Sequence, residues 1–395
     1  MTEIFVQKKP EDREIALVED GKLIEYYEEN ESSNRNEGNI YIGIVRDVIK
    51  GMQSAFVDIG TEKNSFIHLK DVLPKVDEKK GLQVEETDIT KVLKPKQKLL
   101  VQVKKDSNSN KGARVSTHIN LPSKYIVLMP NTDIITVSQK IENKEEQKRL
   151  IELVKNNLSK NNGAIIRTSA EGKKEEIIKD IKYIEKVWKN ITETSIDSES
   201  NKPQLLYKSE DILKKIIKDL IDEKIDTIVV NNLEEKQKIE KFIKSNPECK
   251  DIKVKILKKE DILDTYEIRK QISKMKNRKV WLKCGGFITI DKTEALTAID
   301  VNTGKYTGTN NNLQETILKV NKEATYEIAK QLRLRDVGGI IIIDYIDMAD
   351  EKNKEILINL MKEELKKDRT KTQVEGFTKL DLMELTRKHI CSHKE

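Results

Sequence analysis

The sequence predicts a multidomain fold of β and α/β domains, and three observations carry that expectation. At 395 residues the chain is long enough for two to four hydrophobic cores. A series of short alternating runs between Asn39 and Asp106 reads as the strands of a small antiparallel barrel. Two later stretches alternate helix with strand, the pattern of α/β architecture.

Hydrophobic and charged residues each make up 36% of the chain, and the net charge of +6 is small against 74 basic and 68 acidic side chains. Overall charge therefore does not announce a nucleic-acid partner, and local distribution has to carry that argument. The opening "MTEIFVQKKPEDREIAL" lacks the apolar run of a signal peptide, and no segment has the length of a membrane span, so a cytoplasmic location is expected. Cys249, Cys284 and Cys391 are widely spaced and form no CxxC pair, which argues against a disulfide framework or a complete zinc site within one chain.

Taken in order, residues 1–30 alternate as strands around the turn "VEDGK", and the polar run "EENESSNRNEGN" marks a first boundary. The runs "NIYIGIVRDV", "QSAFVDIG", "NSFIHL" and "KLLVQVKKD" then supply the barrel. After Pro122, the strand "SKYIVLMPN", the amphipathic "EEQKRLIELVKNNL" and the strand "GAIIRTS" form another unit, closed by the linker "ITETSIDSESNKPQ". Residues 208–278 read helix, strand, helix, strand. From Lys279 onward come "FITID", "EALTAIDVN", a helix from about Leu313 to Arg335, and the apolar run "GGIIIIDYIDM".

Along "LTAIDVN", period-2 alternation puts Ala298, Asp300 and Asn302 on one face and Thr297, Ile299 and Val301 on the other. The next helix carries Ile317, Val320, Ala324, Ile328 and Leu332 at helical spacing and leads into "IIIID". A strand, crossover helix and strand normally make a right-handed parallel unit, so Asp300 and Asp344 are expected at the same C-terminal edge, where α/β sheets place ligands. Two adjacent carboxylates repel without a cation, and oxygen donors of this kind suit Mg²⁺ or Mn²⁺. Singly, each Asp is equally readable as a strand-end residue capping a turn; the set of Asp300, Asn302 and Asp344 argues for a metal site. Asp347 and Asp291 are weaker candidates.

In the barrel, alternation sends Ala55, Val57 and Ile59 to one face and Phe56 with Asp58 to the other. Ile67 and Leu69 point inward, while Phe66 and His68 point outward. Aromatics on the polar face of adjacent strands are how OB-type barrels stack single-stranded bases, although filling the barrel end is the competing role for a Phe. The stretch "KVLKPKQKLLVQVKKDSNSNKGAR" has eight basic side chains and one acid, enough to track a phosphate backbone or simply to be a solvated lysine face. Arg167 and Thr168, a guanidinium fork beside a hydroxyl at a strand end, suit a terminal phosphate, and are equally an ordinary surface pair.

The segments "EALTAIDVNTG", "NKEATYEIAKQLRLRDVGGIIIIDYIDM", "AFVDIG…NSFIHL", "YIVLMPN" and "GAIIRTS" resemble the ribonuclease E/G family, in order and at family-like spacing across nearly the whole chain. The resemblance implies a Mg²⁺-dependent endoribonuclease of RNA processing and decay, cutting single-stranded, often A/U-rich RNA to leave a 5′-phosphate and a 3′-hydroxyl. It implies a ribonuclease-H-like scaffold in two parts, residues 1–35 and 212–278, with an inserted OB-fold barrel at 36–122 and a 5′-phosphate sensor at 123–211. A deoxyribonuclease-I-like α/β catalytic domain follows at 279–395. The family's metal ligands fall on Asp300 and Asp344 and its supporting Asn on Asn302. Its RNA-binding aromatics match Phe56 and Phe66, its barrel lysine Lys111, and its sensor Arg167 and Thr168.

Three departures qualify the match. A further sensor Arg of the family falls on Lys371 in "DRTKTQ", which keeps the charge but loses the bidentate fork. The Cys-Pro-x-Cys zinc-link that joins two protomers is missing. Cys391 and His393 are two donors per chain for a zinc shared between copies of a homo-oligomer, or else belong to a tail with a free thiol. The long tail of the larger family members is absent as well. A non-catalytic single-stranded RNA-binding protein of the same fold is the alternative function, and a phosphatase or DNA nuclease using the same acids is a third.

Overall fold

A computed structural model of the chain describes residues 1–30, 36–72, 88–107, 111–196, 202–220, 225–246, 249–304 and 313–390. The chain divides into two compact units, residues 1–33 with 212–393, and residues 34–211.

The discontinuous unit begins with a five-stranded sheet in the order Lys253–Ile256, Thr227–Val230, Thr2–Lys8, Asp12–Glu19, Lys22–Asn30. The first three strands of the chain pair antiparallel, and the two later ones add in parallel beside Thr2–Lys8. The turn of "VEDGK" is a two-residue hairpin with Asp20 and Gly21 both at positive φ (47° and 74°), the conformation that Asp-Gly tolerates best. Alternation buries both faces. Ile4, Val6, Ile15 and Leu17 meet the helix Ile212–Leu220, while Phe5, Ala16 and Val18 meet Ile262, Leu263, Ile268 and Ile272.

The same unit carries a six-stranded sheet in the order Lys279–Trp281, Phe287–Lys292, Leu296–Asn302, Gly339–Asp344, Leu382–Arg387, Thr372–Phe377. Leu296–Asn302 and Gly339–Asp344 are parallel; their neighbours are antiparallel. The helices Leu313–Leu334 and Glu351–Lys366 pack through Ile317, Val320, Ala324, Ile328, Leu332, Leu357, Met361 and Leu365 onto one face of this sheet. The opposite face is not covered by either helix.

Buried ion pairs hold this unit together, one set of them joining the two sheets. Glu25, from the first sheet, accepts from Arg333 at 2.6 Å and Arg369 at 2.5 Å, and Arg369 also donates to the Tyr27 hydroxyl at 2.9 Å. Arg387 is fully buried and donates to Asp368 at 2.7 Å and Asp336 at 2.8 Å. Removing one member of such a set leaves a charge without water or partner, which costs about 3–5 kcal/mol.

In the second unit, strands Ile40–Ile49, Ser54–Asp58, Ser65–His68, Arg114–Ser116 and Lys98–Lys105 close into a five-stranded OB-like barrel through the pairing of Ile40–Ile49 with Lys98–Lys105. Its core is Val45, Ala55, Val57, Ile59, Ile67, Val101, Val103 and Val115. A four-stranded sheet built on Ile126–Pro130 and Asn162–Ile166 follows, covered by the helices Lys144–Asn157 and Glu175–Ile196.

The expected linker at 191–204 is only in part a linker. Residues 191–196 are the end of the helix Glu175–Ile196, and Gln204–Tyr207 is a strand that pairs with Ile40–Ile49. Ile177, Ile181, Ile184 and Ile191 are buried at helical spacing, so tertiary packing outweighs the weak helix propensity of "ITETS". Among the described residues, no helix is long and apolar enough to cross a membrane.

Burial pushes the Glu25 carboxyl up, but the guanidinium groups of Arg369 and Arg333 outweigh it and hold the acid down at about 2. Because the folded value lies below the unfolded one of about 4.3, this stability is present at neutral pH and is lost as pH falls from there toward about 2. Glu25→Gln is expected to lower stability by about 3–5 kcal/mol at pH 7, with the difference from the parent shrinking below about pH 4. Urea unfolding at stepped pH checks this; a difference that stays constant down to pH 3 would count against the network.

Candidate functional site

Parallel pairing sets Asp300 directly opposite Asp344 at the ends of their strands. The alternate residues Ile299, Val301, Ile341 and Ile343 are buried under the helices, so both carboxylates emerge on the uncovered face, where they are exposed. Each buried Ile contributes about 1.5–3 kcal/mol, and a one-residue slip would send the aspartates into the core, so burial fixes the register. Asn302, two residues on, donates its Nδ2 to Asp300 Oδ2 at 2.5 Å and so orients that carboxylate.

The strand ends are braced from both sides. A Cβ at Gly286 would lie 2.8 Å from the Asn302 carbonyl oxygen, and one at Gly304 (φ +59°) 2.5 Å from that of Gly285, so the "GG" turn and the "NTG" exit approach at a distance only glycine allows. Beyond Asp344, the backbone is held by the buried Asn321, which donates to the Ile346 carbonyl at 2.8 Å and accepts from the Ile346 N–H at 3.2 Å. The buried Thr325 hydroxyl meets the Tyr345 hydroxyl at 2.7 Å. Sequence reasoning missed Asn321 and Thr325. The available signal was a pair of polar residues within the apolar stripe of the helix, where burial requires partners.

Partial burial pushes the Asp344 carboxyl up, and the charges of Asp300 and Asp347 push it the same way. Among the described residues, no Lys or Arg forms an ion pair with Asp300 or Asp344. Asp291, a weaker candidate, is taken up by Arg278 at 2.5 and 2.6 Å; Asp347 is exposed and acts on Asp344 only through its charge. No group of three or more His, Cys, Asp or Glu suited to a metal occurs among the described residues. Two carboxylates and an amide are a sparse, oxygen-rich donor set, which suits a hard cation completed by water and substrate phosphate better than a closed cage.

In the barrel, Phe56 and Phe66 face each other across adjacent strands, with Phe56 38% exposed and Phe66 half-buried. The Phe66 ring meets His68 edge-on at 4.6 Å, and Ser54 Oγ lies 2.6 Å from His68 Nδ1. Lys111 is exposed beside this pair: Gly112 presses so close to the Asn64 carbonyl that a Cβ would lie 1.9 Å from it, and the Phe66 N–H donates to Ala113. Arg114, the last of the eight basic residues, turns back onto Asp71 at 2.8–3.1 Å.

Arg167 is half-buried and donates to the Ser123 carbonyl at 2.8 Å, and the Thr168 hydroxyl lies 3.0 Å from Ser138 Oγ. Lys371 is exposed and belongs to the other compact unit. Cys391 and His393 lie outside the described residues.

A model of the family described as "Ribonuclease E/G family" matches residues 120–390. The chain belongs to the ribonuclease E/G family. It is 39% identical to ribonuclease G of Salmonella typhimurium, the match covering 98% of this chain and 79% of that protein. It is 38% identical to ribonuclease G of Haemophilus influenzae, again over 98% and 79%. Against ribonuclease E of Nostoc sp. it is 34% identical over 89% of this chain and 51% of that one.

In this ribonuclease E/G family chain the upward push on Asp344, from partial burial first and from the charges of Asp300 and Asp347, has a measurable sign. A carboxyl whose folded pKa is raised contributes stability below its unfolded value and loses it as pH rises through the folded one. In chelator at pH 7, Asp344→Asn is therefore expected to raise the thermal midpoint by a few degrees, with the gain narrowing toward pH 4. A divalent cation should raise the parent's midpoint and leave the variant's nearly unchanged. Equal midpoints in chelator, or equal responses to the cation, would remove the case for a repulsive pair.

Proposed function

We propose that the chain is a divalent-metal-dependent endoribonuclease of RNA processing and decay, acting on single-stranded RNA in the cytoplasm with Mg²⁺ as its metal. The observation that carries this reading is the in-register pair Asp300 and Asp344 on an uncovered sheet face, with the Asp344 carboxyl pushed up by partial burial and by the charges of Asp300 and Asp347. Asp300 and Asp344 would hold a divalent cation, which when bound would supply Lewis-acid stabilisation of the attacked phosphate and activation of water. Asp300 and Asp344 bind, and Asn302 fixes the rotamer of Asp300 so that its free oxygen keeps one direction. Displacement of the 3′ oxygen leaves a 5′-phosphate and a 3′-hydroxyl. The preference for A/U-rich sequence rests on family membership alone.

Phe56 and Phe66 serve as the stacking surface for single-stranded bases, with Lys111 at the backbone. Arg167 and Thr168 are read as the site for a 5′-monophosphate; at Lys371, the family's further sensor position, this chain has a point charge in place of a bidentate fork, which weakens discrimination between 5′ ends. The five-stranded sheet, three antiparallel strands followed by two parallel ones, supports reading residues 1–35 and 212–278 as a ribonuclease-H-like scaffold. We assign 36–122 to the barrel, 123–211 to the sensor, and 279–395 to a deoxyribonuclease-I-like catalytic domain.

The decisive experiment is cleavage of a short A/U-rich RNA in Mg²⁺ and in chelator, with either a 5′-monophosphate or a 5′-hydroxyl. Internal cutting is expected only in Mg²⁺, and Asp344→Asn is expected to abolish it while RNA still binds. Binding without cutting by the parent chain would instead identify a non-catalytic RNA-binding protein. Phe56→Ala is expected to weaken binding by about 1–3 kcal/mol without changing the fold; a filter-binding affinity equal to the parent's would exclude that ring from the RNA surface.

A further inference from the structure

The uncovered face of the catalytic sheet carries more than carboxylates. Strand pairing sets Trp281 opposite Phe287, and Phe287 opposite Asn302, so the two rings continue across the sheet the row that Asn302 begins. The neighbouring row runs Lys279, Thr289, Asp300, Asp344. The Trp281 and Phe287 rings meet edge-on at 5.4 Å with their planes 63° apart, and Trp281 is 60% exposed. Lys279 Nζ lies over both, 4.1 Å from the Trp281 ring and 3.4 Å from the Phe287 ring. Neither ring belongs to the hydrophobic core beneath the helices.

A largely exposed indole outside the core contributes little to holding the fold, and adjacent strands are about 4.8 Å apart, which puts Trp281 about 10 Å from Asn302. Stacking on a ring beside a cation is how proteins hold unpaired bases, because a base offers a π-face and its phosphate a charge. We propose that Trp281, Phe287 and Lys279 form a platform that stacks the base of a nucleotide close to the scissile phosphodiester, with the Lys279 ammonium turned to that nucleotide's phosphate. The platform uses residues other than the barrel aromatics, reads no base edge, and aligns the strand over the carboxylates. It rests on the endoribonuclease reading for its place beside the scissile bond, but not for its ability to bind RNA.

The test scans a single abasic nucleotide through a short single-stranded RNA, measuring both kcat/KM in Mg²⁺ and equilibrium binding in chelator. In the parent, one abasic position close to the cut is expected to weaken binding and lower kcat/KM by about 5- to 150-fold. Trp281→Ala is expected to show that same loss on intact RNA and no further loss at that position, whereas Trp281→Phe keeps most of the parent's behaviour. A Trp281→Ala chain whose abasic profile matches the parent's, or which handles intact RNA as well as the parent, overturns the platform. If the parent cuts nothing in Mg²⁺, the enzymatic reading fails, and the binding scan in chelator still decides the platform alone.

Discussion

Two like charges held side by side need a frame stronger than their repulsion, and here that frame is the parallel pairing of Leu296–Asn302 with Gly339–Asp344. The isoleucines on the reverse of the same strands are buried under two helices, and shifting either strand would exchange apolar side chains for carboxylates. The burial energy of several such side chains exceeds the repulsion of one partly exposed pair by a wide margin. The glycine turn, the strand exit and the amide of Asn321 then fix the last residues, where alternation alone gives no direction. The site thus holds two like charges close together in a rigid frame, so that a bound cation would relieve their repulsion without rearranging the strands.

Periodicity made much of this legible. "LTAIDVN", the stripe from Ile317 to Leu332 and the run "IIIID" specify strand, helix and strand, and the handedness of crossovers then brings Asp300 to Asp344. The Asp-Gly hairpin and the barrel alternation were readable for the same reason: each depends on neighbours within ten residues. The end of the helix Glu175–Ile196 was not, because Thr and Ser there suggest a linker and the burial of Ile184 and Ile191 carries the helix through them.

What sequence could not show is what depends on distant partners. Glu25 and Arg369 are far apart in the chain, and nothing local marks either as buried. Trp281 sits in a three-residue strand whose alternation is too short to assign a face, and its relation to Asn302 appears only when Phe287 pairs with both. Asn321 and Thr325 were hidden for the opposite reason, since a helical stripe draws attention to its apolar members and away from polar ones among them.

The five-stranded sheet has a consequence for how the chain is made. Thr2 and the residues after it cannot complete their pairing until the segment around Asp226 exists, 224 positions later. At a synthesis rate of about 5–20 residues per second, the newborn hairpins wait on the order of ten to forty-five seconds with one edge of Thr2–Lys8 open. During that interval residues 34–211 are already emerging and have their own cores to collapse around. The insertion therefore has time to fold first, while Thr2–Lys8 remains an unprotected β-edge, the kind of surface that chaperones cover and that other nascent chains can pair with.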